Sequence, residues 1–214
     1  MKLPDATPVT VALRWSDTES TPVGRLAWRD RRAWFEYDAA WLRTAAELSP
    51  LRLRTGPGVH AGDMTLGGLH GVFADSLPDA WGRLLVDRSA RSAGISPASL
   101  TALDRLCIVG ERAIGALIYQ PATAWPEGGV VSTLDQLAEQ IDAVLEGTAR
   151  DVLTELLAIG GSPGGAQPKV LVGWRERDDH LVHGALDVPP DHRALIVKFG
   201  APQDADDIGP IELA

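Results

Sequence analysis

The sequence predicts an α+β protein, a β-rich amino-terminal subdomain with helices followed by a glycine loop and antiparallel strands. Three observations predict it. Short β-branched stretches with rough alternation open the chain, and amphipathic stretches with helical spacing fill its middle. The third is "LLAIGGSPGGAQPKVLVGW" (156–174), where four glycines and a lysine stand between two apolar runs. With 214 residues and 45% hydrophobic content, the chain has enough apolar material for one large or two small cores. The composition of "AWPEGGVV" (124–131) marks a linker and puts the boundary near residues 122–132.

"PVTVALRW" (8–15), "VGRLAWRD" (23–30) and "RRAWFEYD" (31–38) predict a meander of three strands, the last two joined by a charged turn at Asp30-Arg31. "DAAWLRTAAEL" (38–48) predicts a helix capped by Asp38 and stopped before Pro50. Residues 49–71 are rich in Gly and Pro and predict irregular chain, with His60 and His70 as solvated loop histidines. A helix is expected over 73–94, entered through Ser76, with Trp81, Leu84, Leu85 and Arg88 as a buried stripe with a charged edge. Residues 96–110 predict another helix, and "RAIGALIYQP" (112–121) a strand closed by Pro121. "STLDQLAEQIDAVLEG" (132–147) has the strongest helical periodicity, with Leu134, Leu137, Ile141, Val144 and Leu145 as its apolar face. Ser132 and Asp135 are its expected capping box and Gly147 its stop. A second helix is expected over 149–160, then strands at 168–176 and 193–200 separated by an acidic, proline-containing turn.

Twenty-nine acidic residues against 20 basic ones give a formal net charge of −9, which argues against direct binding to DNA or RNA. Cys107 is the single cysteine and reads as a small buried hydrophobe in "DRLCIVG". No Cys/His spacing suits zinc. The start "MKLPDATP" lacks the apolar core of a signal peptide, and no apolar run approaches the roughly 18 residues that a membrane helix needs. The expected location is cytoplasmic, without a membrane partner.

Gly160, Gly161, Gly164 and Gly165 each lose much conformational freedom on ordering, which suits a place where backbone turns tightly or approaches a ligand. Lys169 in "PKVLV" and Lys198 in "LIVKF" each sit among apolar residues. In a strand, Lys198 must face opposite to Val197 and Phe199, so it either meets a fixed anion or lies solvated on an edge strand. Glycine backbone and a strand lysine together suit nucleotide phosphates. The pattern is neither the Walker loop nor the dinucleotide fingerprint, because the glycines follow a helix and lead into a strand. That order is found in kinase-like amino-terminal lobes.

"GGSPGGAQPKVLV" resembles the glycine-rich loop of HipA-type serine/threonine kinases, the toxin halves of bacterial toxin–antitoxin pairs. "FADSLPDAWGRLLVDR" (73–88), "LCIVGERAIGALIYQP" (106–121) and "ALIVKF" (194–199) agree with that family in the same order. The resemblance implies a family-type amino-terminal subdomain at 1–125 and the start of a kinase-like core at 126–214. It implies ATP and Mg as cofactors, with Gly164, Gly165, Ala166, Gln167 and Lys169 matching the phosphate loop and Lys198 the lysine that contacts ATP phosphates. Ser162 matches the position of an autophosphorylated serine, whose added dianion would repel nucleotide. Pro163 follows it and restricts it to extended conformations.

By the same resemblance the intact protein phosphorylates a Ser or Thr of a protein substrate, with translation machinery as the family's known class of target. Its partner is a HipB-like DNA-binding antitoxin, so any association with DNA is indirect. No "D-x-x-x-x-N" segment followed by a metal-binding aspartate appears after Lys198. The expectation is therefore that the catalytic lobe and its Mg ligands are missing from this chain, which alone is inactive. No catalytic or metal-binding residue is assigned within it. The alternative is a naturally short, non-catalytic HipA-like module that binds a partner kinase or antitoxin.

Overall fold

The computed structural model describes residues 2–4, 7–16, 18–44, 46–112, 115–123, 133–148, 156, 165, 167–183 and 188–200. The chain divides into two units, Met1–Leu77 with Ala98–Thr123, and Pro78–Pro97 with Ala124–Ala214. The segment Pro78–Pro97 thus groups with the later part of the chain.

The first unit is built on an antiparallel sheet of β1 (Val9–Arg14), β2 (Ser20–Arg29), β3 (Arg32–Tyr37), β4 (Val59–Ala61) and β5 (Leu117–Gln120), in the order β4-β3-β2-β1-β5. The expected meander is its centre. Asp30 and Arg31 both take positive φ (53° and 59°), the two-residue turn whose twist matches that of the flanking strands. Alternate residues Val9, Val11, Leu26, Phe35 and Tyr37 enter the core, where Trp41, Phe73, Leu103 and Leu106 cover them. Cys107 is buried there as expected.

Several expected elements in this unit are different in the structure. The helix expected over 38–48 is a single 3-10 turn, Trp41–Arg43. Thr44 is extended, and both its N–H and its hydroxyl donate to the Trp41 carbonyl (2.9 and 2.8 Å), closing the turn before an α-helical ladder can propagate. The helix expected over 73–94 is two helices, α1 (Gly71–Ala74) and α2 (Ala80–Ser92). Ser76 does not cap α2; its hydroxyl oxygen accepts a 2.8 Å bond from the Tyr119 hydroxyl. The helix expected over 96–110 is a 3-10 turn, Pro97–Ser99, followed by α3 (Ala102–Val109), which starts at a Thr101/Asp104 capping box. His70 is not solvated: it is 6% exposed, packed edge-on to Phe35 and Phe73.

In the second unit, α4 (Leu134–Glu146) matches its expected span and ends at Gly147 in the left-handed region. Its capping box is Thr133/Gln136, one residue beyond the pair expected, because Thr133 supplies the same hydroxyl chemistry as Ser132. Leu137, Ile141 and Val144 are buried, whereas Leu134 and Leu145 remain about 40% exposed at the flanks of the stripe. The sheet comprises β6 (Lys169–Arg175), β7 (His180–His183) and β8 (Arg193–Lys198), antiparallel in the order β7-β6-β8. β7 occupies part of the stretch expected to be only a turn. Val170 and Val172 join Trp81, Leu85, Leu137, Ile141, Val144, Leu156 and Leu181 in one core. Arg88 donates to the Val144 carbonyl, placing its charge at the negative end of α4. Apart from Leu156, the helix expected over 149–160 lies outside the described residues, as do the linker 124–131 and the tail 201–214.

Candidate functional site

The candidate phosphate site is the end of the β7-β6-β8 sheet where β6 begins and β8 finishes. Lys169 is the first residue of β6 and Lys198 the last of β8, and they are direct partners in the antiparallel register. Directly opposed residues leave the same face of a sheet, with Cβ atoms about 5 Å apart. Val170, Val172, Leu195 and Val197 point to the other face, into the core. Lys198 is exposed at the end of β8, an edge strand of this sheet.

Lys169 is in a different environment. Its side chain is 2% exposed and its ammonium stands 2.7 Å from Asp79 Oδ2, whose own side chain is 6% exposed. Asp79 is the N-cap of α2, and its Oδ1 accepts a 2.8 Å bond from the Gly82 N–H. Two residues on, the Trp81 indole N–H donates to the Lys169 carbonyl at 3.1 Å. An aspartate at an N-cap has one oxygen committed to the helix and a second available to a cation. Neutralising Lys169 also removes the repulsion that two ammonium groups facing each other across a ladder would feel.

The loop leads into this end of the sheet. Gly165 has φ +102°, a backbone that side chains rarely adopt, and a Cβ built on it would lie 3.5 Å from the Lys169 ammonium nitrogen. Gln167 donates through Nε2 to the Phe199 carbonyl (3.1 Å), and the Phe199 N–H donates to the Pro168 carbonyl (2.9 Å). These bonds tie the loop exit to the strand end that carries Lys198. Gly165, Gln167, Lys169 and Lys198 are thus brought together, while Ser162, Gly164 and Ala166 lie outside the described residues. Among the described residues no group of three or more His, Cys, Asp and Glu could hold a metal ion.

Sequence reasoning missed Asp79. The signal was present: a lysine opening an apolar strand needs a partner, and Pro78-Asp79-Ala80 is a helix start as good as the one read at Ser76.

A chain with a five-stranded antiparallel unit and a separate three-stranded lysine-bearing unit belongs to the α+β class. Residues 17–120 match the family model of the HipA N-terminal domain. The chain is therefore a relative of the HipA family and carries that domain. The match ends before the glycine loop and before both lysines. No curated protein and no solved structure matches the chain. No helix among the described residues is long and apolar enough to cross a membrane.

Proposed function

We propose that the second unit holds the nucleotide phosphates of a HipA-like kinase, and that the intact protein transfers phosphate from Mg-ATP to a Ser or Thr of a protein substrate. The observation that carries this reading is the convergence of the loop exit at Gly165 with Lys198 at one end of the sheet. The residues suit the group. Gly165 offers backbone without a Cβ in the way, and Lys198 offers an exposed cation. When bound, Mg-ATP supplies the transferable phosphoryl group. Lys198 would neutralise phosphate charge and the backbone at Gly165 would approach the phosphates, while Gln167 anchors the loop exit through the Phe199 carbonyl. Ser162, once phosphorylated, would set a dianion against that charge and oppose nucleotide binding. The partner we propose is a HipB-like DNA-binding antitoxin, as the family relation suggests.

Amide exchange tests the loop directly. In the intact protein, exchange across 160–167 is expected to slow when Mg-ATP is added, and a Ser162→Asp variant should lose that slowing. Unchanged exchange in the wild type on adding nucleotide would mean that the glycines are turn punctuation only.

A further inference from the structure

We infer that Lys169 is a positioning residue for the phosphate loop, with Asp79 as its partner, and that it does not itself contact phosphate. The inference rests on the phosphate-site reading above and divides the work of its two lysines. Lys169 is held at both ends by one short segment. Asp79 takes the ammonium at 2.7 Å, and Trp81 donates to the carbonyl at 3.1 Å. Asp79 is itself fixed, because its other oxygen caps α2 through the Gly82 N–H. To reach a ligand, the Lys169 ammonium would have to leave a carboxylate in a site only 2% and 6% exposed, where an unpaired charge is strongly disfavoured.

The same ammonium lies beneath the loop exit, 3.5 Å from the Cβ position of Gly165. It acts there as a floor on which the positive-φ glycine rests. Asp79 cancels its charge, while Lys198 stands across the ladder as its direct register partner. The start of α2, more than 80 residues earlier in the chain, therefore sets the loop's exit path without touching nucleotide.

Charge and position separate in a neutral replacement of the pair. Mg-ATP affinity and melting temperature would be measured in the intact protein for Lys169→Gln, Asp79→Asn, the double variant, and Lys198→Met. Lys169→Gln and Asp79→Asn should each weaken Mg-ATP binding about tenfold or more. The double variant keeps an amide–amide hydrogen bond without a buried charge, and should recover to within about threefold of wild type. If Lys169 met phosphate, the double variant would bind as weakly as Lys169→Gln alone, and the inference would be wrong. Lower melting temperatures with unchanged affinity would also overturn it, leaving a pair that serves stability alone. A wild-type protein that fails to bind Mg-ATP would instead defeat the phosphate-site reading, and the inference with it. Loss of binding in Lys198→Met alongside recovery in the neutral pair supports both.

Discussion

Lys169 and Lys198 face each other across the β6–β8 ladder, one enclosed against Asp79 and the other exposed at a strand end. Two residues of one type in one register thus carry opposite stability roles. Lys169→Met leaves the Asp79 carboxylate buried without its cation, which costs about 3–5 kcal/mol. Lys198→Met changes an exposed edge position and should stay within about 0.5 kcal/mol of wild type. Urea unfolding of the two variants checks the contrast, and equal losses would contradict it.

His70 should make the first unit acid-sensitive. Its Nε2 lies 3.1 Å from the His60 carbonyl, which can only accept, so Nε2 carries the proton and Nδ1 is bare. Nδ1 is buried with no hydrogen-bond partner among the described residues. Burial lowers the His70 pKa below its ordinary 6.5. The unfolded chain therefore binds a proton before the folded one does. The stabilisation is complete above about pH 6.5 and is lost as pH falls through the lowered folded value. A His70→Leu variant should show a flatter melting temperature between pH 7 and pH 5 than wild type. Parallel pH profiles would show that His70 does not carry the effect.

Asp104 serves several donors at once. It is 2% exposed, accepts from the Leu3 N–H (2.6 Å) and from the Thr101 N–H and hydroxyl (both 2.7 Å), and so ties the chain start to α3. Asp104→Ala strands those donors and should cost about 2–4 kcal/mol. Asp104→Asn keeps one acceptor oxygen and should cost less. Thermal unfolding of the two variants measures the order.

Cys107 should be chemically silent while the protein is folded. Burial pushes its thiol up to about 12, with Asp104 adding to the shift, so almost no thiolate exists at neutral pH. Labelling with iodoacetamide should proceed only in denaturant. Rapid labelling of the native protein would place Cys107 outside the core.

The parts of the fold legible in the sequence are those that local pattern decides. Val9, Val11, Leu26 and Phe35 alternate, the Asp30-Arg31 turn has the required chemistry, and Leu137, Ile141 and Val144 recur with helical spacing before Gly147. What escaped is decided at a distance. Ser76 reads as a cap until Tyr119 claims its hydroxyl, and the helix expected after Asp38 stops because Thr44 closes on Trp41 while Trp41 is held in the core. β7 was hidden because only four residues, His180–His183, carry it, and its stability comes from pairing with β6. The site was half legible: glycines and lysines announce themselves, but the acid that neutralises Lys169 lies 90 residues away.

Mg-ATP binding by the intact protein with and without Lys198→Met tests most directly whether Lys198 meets nucleotide phosphate. The substitution keeps the stem's bulk and removes the charge at an exposed position, so folding should be preserved. The wild type should bind Mg-ATP, and the variant should lose most of that affinity while its melting temperature stays the same. Full retention of Mg-ATP affinity by Lys198→Met would mean that Lys198 does not meet phosphate and is an ordinary edge-strand lysine.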